Sequence, residues 1–237
     1  MFYVPDETQR CGFYECSDCG SRFLDLRIAP SIVCPYCGEE LNMEVGNKSI
    51  KCRKCGKGAA INDMYEFVPF ENDPDFPKFP SYWATKERMD IIREIRADNN
   101  YSFSEKVQLG YIPEHKLITK MRTSVICGEG IMTIDHKGVH FKGTKLGEDF
   151  NFDMSYKDLF TLTIMTDCTR FAIYVNTEFY EFYPERHSVG KMLMITEEMH
   201  RLHVNSWKNF PWNDYMYENV PEYKEEDPEY IALHSEK

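Results

Sequence analysis

The stretch Cys34-Pro-Tyr-Cys37-Gly38, then Leu41-Asn-Met-Glu-Val45, Gly46-Asn47-Lys48, Ser49-Ile-Lys51 and Cys52-Arg-Lys-Cys55-Gly56, decides how the first quarter of this chain folds. Each Cys-x-x-Cys-Gly reads as a knuckle: two thiolates face one point, and the glycine allows the tight backbone turn behind them. Between the knuckles, short alternating segments flank a Gly-Asn turn, which predicts a hairpin. Two knuckles joined by a hairpin give four thiolates in a tetrahedral arrangement, a donor set that suits structural Zn²⁺. The stretch therefore predicts a zinc ribbon.

A third knuckle, Cys16-Ser-Asp-Cys19-Gly20, lies upstream, and fourteen residues separate each pair from the next. The candidate metal ligands are thus Cys16, Cys19, Cys34, Cys37, Cys52 and Cys55, with Cys11 a candidate seventh. Six exceed what one zinc needs and fall short of two unshared sites. The hairpin favours Cys34, Cys37, Cys52 and Cys55 as one site. Pairing Cys16 and Cys19 with Cys34 and Cys37, across Phe23–Leu26, is nearly as good, and spacing alone does not choose. A redox Cys-x-x-Cys fits less well, because no βαβ pattern surrounds these pairs. A catalytic zinc usually mixes His or carboxylate ligands with a vacant position. A segment this small hardly buries enough core without a staple, which favours a structural ion.

Around the third knuckle stand Lys48, Lys51, Arg53, Lys54 and Lys57 with no acid between them. They read as compensation for the negative thiolates, with contact to an anion or an acidic partner as the sharper alternative. Nevertheless residues 1–60 carry eight bases and eight acids. Nucleic-acid modules normally show a basic surplus, so the balance argues against nucleic acid as partner.

Of 237 residues, 42% are hydrophobic and 14% aromatic, enough for a packed core. The net charge is −11, and residues 213–237 supply eight acids against two bases, a solvated acidic tail. The longest run without Asp, Glu, Lys or Arg is eleven residues, Ile28–Gly38, whereas a spanning helix needs about 20 apolar residues. The first ten residues, MFYVPDETQR, lack a basic start and an apolar run, so no secretory signal is expected. A cytoplasmic protein, with peripheral membrane attachment as a variant, is the expectation.

Between Phe67 and Ser81 fall Pro69, Pro74, Pro77 and Pro80, which preclude a helix or central strand and predict an extended linker. Ser81 then serves as the expected N-cap of a helix over about 81–98, with Trp83, Met89, Ile92 and Ile95 on one face. From about Glu105 to Glu185 the pattern has period two. The strands are Val107–Ile112, Ser124–Cys127, Gly130–Asp135, Val139–Lys142, Asp149–Asp153, Leu159–Ile164, Arg170–Val175 and Glu178–Tyr183, with turns at His136–Gly138, Gly143, Gly147 and Asn176. After Pro184 a helical period returns through Val189, Met192, Ile195, Met199 and Leu202. These eight segments, read as about seven antiparallel strands, and a closing helix follow the plan of a pleckstrin-homology-like barrel, though a sandwich fits the same period. The fold class is mainly β (α+β). Its parts are a ribbon over 1–62, a linker over 63–80, a connecting helix over 81–98, a PH-like β domain over 99–212 and the tail over 213–237.

Catalytic motifs are missing from the sequence: no Gly-x-Gly-x-x-Gly, no phosphate-binding loop, no Gly-x-Ser-x-Gly and no His-x-x-x-x-Asp. His200 and His203 share a helix without a third ligand, and Cys127 and Cys168 read as small core residues. Lys137, Lys142 and Lys145 lie on or beside β-turns, where a lipid-binding barrel places headgroup ligands, although solvated turns are the simpler account.

The order of parts resembles a C-terminal extension of bacterial 1-acylglycerol-3-phosphate acyltransferase-like proteins. The likeness rests on CPYCG, the hairpin, IKCRKCG, the proline linker and the Tyr82-Trp83 helix. Within the barrel it rests on GEGIMTIDHKGVHFKGTKLGEDFNF, Thr166–Phe171 and EFYEFYPE…VGKMLMITEEMHRLH, and in all it spans about Phe13 to Trp212. Those proteins carry an upstream catalytic domain that has no counterpart in this sequence, so no catalytic residue transfers. Only Cys34, Cys37, Cys52 and Cys55 carry over, as zinc ligands. The resemblance implies a non-catalytic zinc-binding accessory protein associated with phospholipid synthesis, partnered by a protein or a lipid headgroup. A regulatory part of an acyltransferase and a nucleic-acid-binding ribbon are the alternatives.

Overall fold

The computed structural model describes residues 33–46, 48–64, 66–113, 124–159, 163–164, 169–186 and 188–204, and the backbone of 2–5, 12–15 and 22–24. The chain is mostly β, with two helices among the described residues, and it divides into two compact units between Asp90 and Ile91.

In the first unit, β1 (Phe2–Pro5), β2 (Gly12–Glu15) and β3 (Arg22–Leu24) form a three-stranded antiparallel sheet. A second sheet runs β4-β5-β6-β7, from Met43–Val45, Ser49–Cys52, Gly58–Ile61 and Phe67–Pro69. The expected hairpin is β4–β5, with Met43 opposite Cys52 and Val45 opposite Ile50. The stretch read as linker contributes more than a connection. Phe67–Pro69 is an edge strand, the one place in a sheet that tolerates proline. Its outward donors are already dealt with: Phe67 N–H donates to the Lys78 carbonyl at 2.7 Å, and Pro69 has no N–H. The ribbon core comprises Ile50, Ala59, Ile61, Phe67, Phe76 and Trp83. Three of these rings meet edge to face, at 5.5 Å for Phe67–Phe76, 5.6 Å for Phe76–Trp83 and 5.9 Å for Phe67–Trp83.

Helix α1 spans Pro80–Ala97. It starts one residue before the Ser81 cap predicted from sequence. Proline fits the first helical position, because its missing N–H would have no intrahelical partner there. The Phe79 carbonyl accepts from Trp83 N–H at 3.3 Å and closes the first turn.

The second unit is a seven-stranded antiparallel sheet curled into a half-barrel, in the order β11-β10-β9-β8-β14-β13-β12. The strands are β8 (Ser102–Tyr111), β9 (Val125–Asp135), β10 (Gly138–Lys145), β11 (Glu148–Met154), β12 (Thr163–Ile164), β13 (Phe171–Val175) and β14 (Glu178–Pro184). Residues 160–162 of the strand expected over 159–164 lie outside the described residues, as do Cys168 and the acidic tail. Helix α2 (Val189–His203) contacts β9 and buries Val189, Met192, Ile195 and Met199. Facing inward on the strands are Val107, Leu109, Met132, Ile134, Val139, Phe141, Phe171, Ile173 and Phe182.

The curl has a local cause. Gly130 and Gly143 are cross-strand partners on β9 and β10. A Cβ on Gly130 would stand 2.5 Å from the Lys142 carbonyl oxygen, and one on Gly143 would stand 2.3 Å from that of Glu129. The Phe141 ring fills the space both glycines vacate, within 2.7–2.8 Å of those Cβ positions. Two glycines under one aromatic ring let paired strands bend where side chains would hold them apart. Gly143 is therefore a strand residue and not the turn read from sequence. The chain reverses at Leu146 and Gly147, both at positive φ (56° and 87°).

Candidate metal centre

Both knuckles are built on one plan. In the first, Cys34 N–H donates to the Glu39 carbonyl and Gly38 N–H to the Cys34 carbonyl, each at 2.9 Å. In the second, Cys52 N–H donates to the Lys57 carbonyl at 2.8 Å and Gly56 N–H to the Cys52 carbonyl at 2.9 Å. Gly38 and Gly56 take φ of +68° and +77°, the left-handed conformation that closes each loop and that favours glycine.

The four sulfurs converge. Cys34 Sγ lies 3.7 Å from Cys55 Sγ, Cys37 Sγ lies 3.8 Å from Cys52 Sγ, and all four fall within 4.8 Å of one another. Sulfurs bound tetrahedrally at about 2.3 Å from one zinc ion sit about 3.8 Å apart, so the quartet has the span the ion requires. Cys34 and Cys52 are buried, at 1% and 0% exposure, whereas Cys37 and Cys55 are exposed. The ligands thus come as two matched pairs, one buried and one exposed thiol from each knuckle. Burial pushes the Cys34 thiol up to about 12. Burial acts on Cys52 in the same direction, but the backbone N–H groups of Cys55 and Lys54, with the Cys34 and Cys37 thiols, bring it down to about 7. Four thiols in this space compete for negative charge, and a divalent cation is the group that relieves the competition.

These four are the ligands the hairpin favoured, placed to bind a metal ion. Cys11, Cys16 and Cys19 lie outside the described residues. The basic cluster is largely neutralised within the ribbon. Lys48 pairs with Asp63 at 3.1 Å, Lys54 with Glu39 at 2.5 Å and Lys57 with Glu71 at 3.1 Å. Lys57 Nζ also lies 4.7 Å above the Tyr36 ring, and Lys51 and Arg53 are exposed. Sequence order hid these acids, because each lies fourteen or fifteen residues from its partner and meets it only through the fold. Tyr36 stacks on Phe76 at 5.5 Å, and burial with the nearby Asp73 carboxylate pushes its hydroxyl up to about 12.

Other residues singled out from sequence take separate places. His200 is buried, with ring nitrogens on the Thr196 and Leu159 carbonyls, whereas His203 meets His136 at 3.0 Å. The two do not converge on a shared point. Cys127 is half-buried and occupies a bulge in β9, where Leu109 pairs with Gly128 and Gly110 with Ile126. Lys145 donates to the Tyr180 hydroxyl at 2.6 Å and lies over the Tyr180 ring, while Lys137 and Lys142 are exposed. No helix among the described residues is long and apolar enough to cross a membrane.

Residues 14–64 match a family model described as "Protein of unknown function (FYDLN_acid)", a span that contains all three knuckles. No curated protein and no solved structure matches the chain.

Proposed function

We propose that this chain is a zinc-binding, non-catalytic accessory protein whose ribbon is held by a structural Zn²⁺ on Cys34, Cys37, Cys52 and Cys55. The observation that carries the reading is the convergence of four thiols from two knuckles at the spacing of a tetrahedral tetrathiolate. All four positions of such an ion are filled by protein sulfur, which leaves no place for substrate and suits a structural role. When bound, the ion supplies a cross-link between knuckles fifteen to twenty-one residues apart. The half-barrel is the binding module. The resemblance to acyltransferase extensions supports a setting in phospholipid synthesis. Pairing of Lys48, Lys54 and Lys57 with carboxylates supports a protein partner over a bare lipid headgroup.

Elemental analysis of the purified chain, with the Cys34→Ser and Cys52→Ser variants alongside, tests the zinc assignment: either variant should lose the ion bound by this quartet. Flotation with neutral and phosphatidate-containing vesicles tests the module. Binding to phosphatidate at moderate salt would replace the protein partner by a lipid surface.

A further inference from the structure

The two knuckles are alike in themselves but differ in what holds them. Cys52 is the last residue of β5, so the sheet fixes its backbone through the pairing with Met43 on β4. Among the described residues Cys34 lies in no strand, and what stands beside it is the isolated bridge between Val33 and Glu40. Helix α1 makes up the difference. Glu87 Oε1 accepts from Val33 N–H at 2.7 Å, and Trp83 Nε1–H donates to the Val33 carbonyl at 3.2 Å. Trp83 and Glu87 are four apart and so lie on one helix face. Between them they hold both peptide planes that flank Val33, and the second of those planes is the one that enters Cys34.

The arrangement is expensive to build. Glu87 is 4% exposed, and a carboxylate taken from water is costly unless hydrogen bonds compensate it. A buried carboxylate spent on the backbone beside a buried metal ligand is what orienting that ligand requires.

We propose that Glu87 and Trp83 are positioning residues for the metal centre, holding the first knuckle in its ligating geometry as β5 holds the second. The proposal rests on the zinc reading above. Coupling between two sites is reciprocal, so the ion steadies the docking of Trp83 and Glu87 by the same factor by which they tighten the ion.

The test uses the full chain with Trp207→Phe and Trp212→Phe, which leaves Trp83 as the only tryptophan. Zinc affinity is measured by competition with a chromophoric chelator for this chain and for Glu87→Gln, Glu87→Leu and Trp83→Phe. Outer contacts of this kind change metal affinity by about 10–100-fold. Glu87→Leu and Trp83→Phe should weaken binding by about 10-fold or more, whereas Glu87→Gln, which keeps an acceptor oxygen, should recover most of it. Trp83 emission should shift as zinc is added and return on chelation. Glu87→Leu binding zinc as tightly as the parent, or Trp83 emission blind to zinc in a parent that binds it, would overturn the proposal and leave the zinc reading standing. A parent that binds no zinc would remove the reading itself. Should Glu87→Leu fail to fold, the emission response of the parent decides alone.

Discussion

The ribbon and the half-barrel solve the same problem with different means. The half-barrel packs an apolar sheet face and the apolar side of α2 into one core, with Phe141, Phe171, Phe182, Met132, Ile134 and Met192 all nearly inaccessible. Among the described residues, the ribbon's core holds six buried residues, one of them an alanine, with Tyr36, Met43 and Val45 packed against them half-buried. A set that small does not offset the conformational entropy of its segment, whereas the half-barrel's does. The ribbon therefore needs a cross-link that the half-barrel can do without, and the thiol quartet is placed to supply it.

The largest expected effect breaks the ribbon alone. Cys52→Ser removes a buried ligand and with it most of the apparent metal-binding free energy, which is about 10 kcal/mol or more in small zinc domains. The ribbon's tertiary signals should vanish, while those of Ile134 and Phe182 stay dispersed in NMR spectra. Next in size, Phe76→Ala deletes the ring shared by Tyr36, Phe67 and Trp83, at a cost of about 3–5 kcal/mol. Denaturant titration should show the loaded ribbon surviving this change and the chelated ribbon not. On the other side, Gly130→Val forces a side chain against the Lys142 carbonyl and the Phe141 ring. It should lower the half-barrel's stability by about 3 kcal/mol, in the range of overpacked cores, and leave zinc affinity unchanged.

The smallest expected effect is acid sensitivity of the half-barrel. Burial and the neighbouring His136 hold His203 below the ordinary imidazole value. Asp135 is lowered despite partial burial, because Lys137 and Gly138 N–H groups and His140 hydrogen-bond its carboxylate. Both groups bind fewer protons folded than unfolded, so stability rises with pH through their range. The His203 contribution is complete above the ordinary imidazole pKa and fades as pH falls through the lower folded value. The Asp135 contribution fades in the same way below the carboxylate range. A chelated sample, in which thiol protonation cannot release metal, should show a lower half-barrel Tm at pH 5.5 than at pH 7.5.

Much of this was legible beforehand. Knuckle spacing and the Gly46 turn gave the hairpin, period two gave most strands, and the run from Val189 to Met199 gave α2. What escaped was chiefly non-local. Gly58–Ile61, sequence GAAI, has no β-branched or aromatic signal except Ile61, and becomes a strand because β5 and β7 flank it. The prolines between Phe67 and Ser81 excluded a helix or a central strand and read as an extended linker, whose first residues Phe67–Pro69 pair as an edge strand. Gly143 looked like a turn, although its partner Gly130 makes it a bend within a sheet. The acids that pair Lys54 and Lys57 lie beyond the window in which charge patterns are read. The role of Glu87 had no sequence signal, because a glutamate on a charged helix reads as surface.

Hydrogen exchange of the full chain, read by peptide before and after chelation, tests the central claim most directly. The account predicts that protection in peptides covering 33–69 collapses on chelation and returns with zinc, while β8–β11 and α2 remain protected throughout. Protection over 33–69 that is indifferent to chelator would contradict it, because the ribbon would then stand on its core alone.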